Sequence, residues 1–180
     1  MIFAGVDVGA ATAKAVILSD NSMLGYFIIP TGYDVKLAAE QVTLEAMERA
    51  GLSRSLDELN YVISTDYARN AVAFANKFTT EIICHAKGAH FVIPETRTIV
   101  DIGGQDSKAI EVDEEGNVRD FVMNDKCAAG TGRFLEVMAG VLQVGSIDNM
   151  GLLSLESENP CRISSTCTIF CRLRGSFPAG

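Results

Sequence analysis

The sequence predicts an α/β protein made of two similar lobes, and three observations carry that prediction. Short apolar, β-branched runs alternate with helix-patterned segments along the chain. A strand–turn–strand pattern occurs twice, with Asp7, Gly9, Lys14 and Ala15 matching Asp101, Gly103, Lys108 and Ala109 at one constant offset. Pro94 stands between the copies and marks a hinge, giving lobes over residues 1–94 and 95–180.

Each copy begins with a buried strand, Phe-Ala-Gly-Val-Asp-Val in the first and Thr-Ile-Val-Asp-Ile-Gly in the second. A tight glycine turn leads into a second strand. A polar turn, Ser19–Ser22 or Asp113–Asn117, then leads into a third apolar run, Met23–Ile29 or Val118–Met123. Asp34 is placed to cap a helix running to about Arg49, with Leu37, Val42, Leu44 and Met47 as its apolar positions and Gly51 as its stop. A strand over Tyr61–Ser64 follows, then helical stretches over Arg69–Phe78 and Glu81–Phe91.

Composition narrows the class. Nearly half the residues are apolar, enough for a core, and no run approaches the eighteen or more apolar residues of a membrane span. The start, MIFAGVDVGAATAK, has neither the basic opening nor the long apolar stretch of a secretory signal. A cytoplasmic protein is expected. The net charge of −8 argues against nucleic acid or an anionic membrane as the main partner. Five cysteines (Cys84, Cys127, Cys161, Cys167, Cys171) in such a chain read as thiols, metal ligands or redox groups rather than disulfides.

The duplicated Asp-x-Gly turn is the chemical signal. Backbone at a glycine approaches a ligand closely, and turn amides can cradle phosphate oxygens. Two such turns could hold a phosphate chain from both sides, with Asp7 and Asp101 holding Mg²⁺ through water. The plain alternative is that Asp-x-Gly is a common hairpin turn; two copies in register weigh against it.

These paired turns resemble the phosphate loops of the actin, sugar kinase and heat-shock ATPase group. Within it, VDIGGQDSKAI and MNDKCAAGTGRFLEVMA are similar to the activators of 2-hydroxyacyl-CoA dehydratases and the ATP-binding subunits of benzoyl-CoA reductase. RNAVAFANKFTTEIICHAKGAHFVIP shares that look, and the likeness runs from Gly5 to about Phe170. It implies an actin-like (ribonuclease H-like) fold of duplicated lobes and an ATPase that delivers electrons at low potential. Carried over by position, the first loop is Asp7, Gly9, Thr12 and Lys14. The second is Asp101, Gly103, Gly104, Gln105, Asp106 and Lys108. Gln105 is the candidate for orienting the attacking water, with Asp101 or Asp7 in the magnesium shell. The family has Ser or Thr around positions 10 and 11, where this chain has Ala10 and Ala11, so a hydroxyl contact is in doubt while the backbone donors survive.

Cys127 precedes Ala-Ala-Gly-Thr-Gly-Arg-Phe-Leu-Glu, which becomes helical after its glycines, and the positive end of a helix favours thiolate. Cys127 and Cys167 match the family's two cluster cysteines. A [4Fe–4S] cluster takes four thiolates, and the resemblance implies that a homodimer, or a related subunit, supplies two from each chain. It further implies a ferredoxin or flavodoxin as electron donor and a dehydratase or reductase as acceptor. Buried core cysteine is the ordinary alternative, preferred for Cys84; a zinc site of Cys161, Cys167 and Cys171 lacks a usual spacing. His85 and His90 read as helix-face residues.

The end, CRLRGSFPAG, departs from the family, which continues after its Cys-Thr-Ile-Phe with something like Ala-Glu-Ser-Glu-Val. Residues 171–180 therefore read as a frameshift product, and the second lobe as incomplete. Two other functions fit the fold: a kinase-like phosphotransferase, and an inactive, truncated nucleotide-binding remnant.

Overall fold

The computed structural model describes residues 1–124 and 131–159. The chain divides into two compact units between Val92 and Ile93.

In the first unit, β1 (Ile2–Val8), β2 (Thr12–Ser19) and β3 (Ser22–Pro30) form an antiparallel meander. The β2–β3 connection needs two left-handed residues, and Asp20 and Asn21, with φ of 49° and 62°, supply them. Helix α1 (Val35–Arg49) returns the chain to β4 (Tyr61–Thr65), which pairs parallel with β1. The short β5 (Lys77–Phe78) extends the sheet, whose order is β3-β2-β1-β4-β5. Helix α2 (Glu81–Val92) closes the unit.

Period-two alternation decides which sheet face is buried. Ala4, Val6 and Val8 of β1 and Ala13, Ala15 and Ile17 of β2 point to one side and are buried there with α1. The opposite face carries Asp7 and Lys14. The Asp34 carboxylate accepts from the Lys36 and Leu37 amides at the start of α1, and Gly51, with φ of 75°, follows its end.

The helix meets the sheet mainly through small residues, Ala38, Ala39, Thr43 and Ala46, with Val42 and Met47. Leu37, expected on that face, is 59% exposed instead. The small residues bring the helix close. At Gly25 of β3, a Cβ would stand 2.6 Å from the Ala50 nitrogen and 2.9 Å from the Ala46 oxygen. Residues 69–78, expected to be helical, form only a 3-10 turn at Arg69–Ala71 and the strand β5. Tertiary pairing overrides the local pattern there: Asn76 exchanges two hydrogen bonds with Val62, and the Thr79 amide donates to the Ser64 carbonyl.

The second unit repeats the meander. Strands β6 (Thr98–Ile102), β7 (Ser107–Val112) and β8 (Val118–Met123) form an antiparallel sheet with buried Ile110 and Val112. Its turn residue Asp113 accepts from the Glu115 and Asn117 amides and from the Asn117 side chain, bonds that hold the Asp113 carboxyl below its usual range. Two helices follow, α3 (Gly132–Val141) and α4 (Ile147–Ser154). Thr131 caps α3 and Ser146 caps α4, each through its hydroxyl. Among the described residues no helix is long and apolar enough to cross a membrane.

Candidate functional site: two glycine turns

Each sheet has the same turn between its first two strands. The β1–β2 register sets Asp7 directly opposite Lys14, and the β6–β7 register sets Asp101 opposite Lys108. The Gly9 amide donates to the Thr12 carbonyl at 3.1 Å; the Gly103 amide donates to the Asp106 carbonyl at 2.8 Å. Those two acceptors occupy equivalent positions, so one hydrogen bond closes both turns.

The glycine carbonyls are tied back as well. Gly9 accepts from the buried Thr31 hydroxyl at 2.7 Å. Gly103 accepts from the Gly132 amide at 2.9 Å, and Gly104 from the Arg133 amide at 3.1 Å. The first turn of α3 thus spends two of its open amides on the second glycine turn.

What stays open is the useful part. Among the described residues, the amides of Ala10 and Ala11 have no protein partner, nor have those of Gly104 and Gln105. These two pairs are equivalent by the repeat. Consecutive amides left unbonded on an exposed turn can donate to an anion, and backbone donors of this kind do not depend on a hydroxyl side chain at Ala10 or Ala11.

The charges differ between the copies. Lys14 bonds the Asp7 carboxylate at 2.9 Å and its side chain is 41% exposed. Lys108 bonds Asp106 at 2.6 Å and Asp101 at 3.4 Å, with only 4% of its side chain exposed. Burial alone would lower the pKa of the Lys108 ammonium. The hydrogen bond and charge of Asp106, with the charge of Asp101, outweigh that, and the net direction is upward. At Asp7 burial raises the pKa of the carboxyl, Lys14 opposes that, and the nearby Asp66 carboxylate pushes in the same direction as burial.

Asp66 escaped the sequence reading. It lies immediately after the carboxyl end of β4, in left-handed backbone with φ of 72°, and its Oδ1 accepts from the Tyr67 amide at 2.6 Å. Its Oδ2 stands 2.7 Å from where a Cβ on Gly9 would be. The available signal was an aspartate at the carboxyl end of a parallel strand, the place where α/β sheets bind ligands.

Of the other candidates, Gln105 is exposed in the second turn and Thr12 opens β2. Cys84 is half-buried on α2; burial pushes its thiol pKa up and a hydrogen bond with Thr65 opposes this. Cys127 and Cys167, like Cys161 and Cys171, lie outside the described residues.

The donors around Gly9 suit a hard cation such as Mg²⁺, because the carboxylates of Asp7 and Asp66 offer oxygen alone. Among the described residues no group of three or more His, Cys, Asp or Glu could hold a metal unaided. A cation there would complete its shell with water and phosphate oxygens, as Mg²⁺ commonly does.

Each unit thus carries the same glycine turn, with two open amides, inside an antiparallel meander. The chain belongs to the BadF/BadG/BcrA/BcrD ATPase family, which matches residues 4–173. It is 45% identical over 167 residues to the activator of lactoyl-CoA dehydratase of Anaerotignum propionicum, covering 92% of this chain and 63% of that protein. The structure resembles component A of the Acidaminococcus fermentans (R)-2-hydroxyglutaryl-CoA dehydratase, with a TM-score of 0.81 and 35% identity. That match covers 99% of this chain and 70% of the other. It also resembles the activator of the Clostridium difficile 2-hydroxyisocaproyl-CoA dehydratase with bound ADPNP, with a TM-score of 0.79 and 40% identity, covering 97% of this chain and 64% of the other. The chain thus spans somewhat less than two thirds of the length of the curated relatives it matches.

Proposed function

We propose that this protein binds Mg·ATP at its two glycine turns and uses its hydrolysis to drive one-electron delivery to a partner, a 2-hydroxyacyl-CoA dehydratase or a benzoyl-CoA reductase. The observation that carries the reading is the repeated turn, closed by the same hydrogen bond and leaving the same pair of amides open in each copy. The solved activator with bound ADPNP supports the nucleotide, and the dehydratase-activator relatives support the partner class.

In this reading the Ala10, Ala11, Gly104 and Gln105 amides hold phosphate oxygens, and the exposed ammonium of Lys14 adds a charged donor. Asp101 or Asp7 would hold Mg²⁺ through water, and the bound ion would supply charge neutralisation to the phosphates. Gln105 positions the attacking water. Water bonds to the γ-phosphorus as the β–γ bridge breaks, giving ADP and phosphate. Gly9, Thr12, Lys14, Gly103, Gly104, Asp106 and Lys108 shape the turns, within lobes over residues 1–94 and 95–180.

The electron comes from a reduced ferredoxin or flavodoxin. A [4Fe–4S] cluster shared by a homodimer, with Cys127 and Cys167 from each chain, would supply a site for that single electron. The reading places the protein in the cytoplasm, where its thiols stay reduced. Iron and acid-labile sulfide are to be assayed on protein purified without oxygen, alongside ATP hydrolysis. About four irons per dimer is expected, lost in Cys127→Ala and Cys167→Ala. Iron-free protein that still phosphorylates an added sugar or acetate would instead favour a kinase-like enzyme.

A further inference from the structure

The two turns obtain a second carboxylate from different places. In the second turn it is Asp106, whose Oδ1 stands 3.1 Å from where a Gly103 Cβ would be. The equivalent position in the first turn is Thr12, which has no carboxylate. Asp66 fills the same role from another part of the chain, with its Oδ2 2.7 Å from where a Gly9 Cβ would be. Each glycine therefore keeps its open side for a carboxylate.

The consequences differ. Asp106 is matched by the buried Lys108, which it bonds at 2.6 Å. Asp66 has no bonded lysine: the Lys14 ammonium, 3.5 Å from where the same Gly9 Cβ would be, is engaged by Asp7, and Asp66 makes no ion pair among the described residues. Its side chain accepts from the amide of Tyr67, which leaves the carboxylate without a directly bonded cation beside the Gly9 turn. A phosphate approaching the Ala10 and Ala11 amides meets that charge, and repulsion between partly exposed anions a few ångströms apart is worth enough to set affinity.

Resting on the nucleotide reading above, we propose that Asp66 makes nucleotide binding at the first turn depend on a divalent cation: the phosphate enters well only when a cation accompanies it. Asp66 is a specificity-determining residue here. With Mg²⁺ present its oxygen faces a cation and favours the complex; without Mg²⁺ it repels the phosphate. The lysine-matched Asp106 exerts no comparable effect on the second turn.

The test is the dissociation constant of a non-hydrolysable ATP analogue, measured by calorimetry in excess Mg²⁺ and in EDTA. Wild type is compared with Asp66→Asn and Asp66→Gly. Both variants accept left-handed backbone, and Asn also keeps an oxygen for the Tyr67 amide. Removing Mg²⁺ is expected to weaken wild-type binding about tenfold or more, and both variants narrow that gap severalfold. A gap of wild-type size in both variants would overturn the proposal and leave the nucleotide reading standing, since a residue that only closes its own turn would leave the gap unchanged. No binding by any of the three proteins, with or without Mg²⁺, would remove the nucleotide reading and the proposal with it.

Discussion

The first and second glycine turns share a backbone and differ in how their charges are kept. In both, an Asp faces a Lys across adjacent strands and a glycine amide closes the turn onto the same carbonyl. In the second, Lys108 is buried between two carboxylates and serves the structure. In the first, Lys14 bonds a single carboxylate, with Asp66 nearby but unbonded to it, and keeps much of its surface in solvent. The backbone of the turn is the same in both copies, and the side chains differ. In the proposed nucleotide site the first turn would meet the ligand with charge, while the second holds itself together.

The largest expected difference is in stability. Lys108→Met strands two carboxylates that are themselves mostly buried, and should cost about 2–3 kcal/mol, somewhat below the figure for a fully buried pair. Lys14→Met breaks a partly exposed pair and should cost about 1 kcal/mol or less. Urea unfolding of both variants measures this; equal losses would erase the distinction between the turns.

The glycines sharpen the comparison next. A Cβ on Gly103 would stand 3.0 Å from the Asp106 backbone oxygen, so the turn itself must shift. Gly103→Ala should therefore destabilise by about 1–2 kcal/mol. At Gly9 the nearest obstacle is the far end of the Asp66 side chain, and Gly9→Ala should cost less. Much of that cost should vanish in combination with Asp66→Gly, a coupling of about 0.5 kcal/mol or more in a double-mutant cycle. Strict additivity would mean that Asp66 is not where the first turn feels crowding.

The smallest effect is a pH dependence confined to the second turn. The Lys108 pKa is raised in the folded protein, so its contribution is complete below the ordinary lysine value of 10.5 and is lost as pH rises through the higher folded value. The stability gap between wild type and Lys108→Met should stay constant from neutrality to that point and shrink above it. A gap already closing near neutral pH would place the Lys108 pKa below its ordinary value.

Much of this was legible beforehand, because the signals were local. Asp34 as a cap, Gly51 as a stop, alternating β1 and β2, and the repeat that pairs Asp7 with Asp101 all follow from short-range pattern. The misses were tertiary. Residues 69–78 lost their helix to pairing of Asn76 and Thr79 with β4, and Leu37 lies off the face through which Ala38, Ala39, Val42 and Ala46 bury α1. Asp66 was missed for the same reason, since only the fold brings the end of β4 beside Gly9. The open amides of Ala10 and Ala11 depend on backbone bonds that no residue pattern displays.

The most direct test of the account is the affinity of a non-hydrolysable ATP analogue in excess Mg²⁺ for wild type and Lys14→Met, below the temperature at which either unfolds. The account predicts saturable binding by wild type, weakened about tenfold by loss of this one ligand-facing ammonium. A Lys14→Met protein that binds the analogue as tightly as wild type would contradict the assignment of the first turn as the charged face of the nucleotide site.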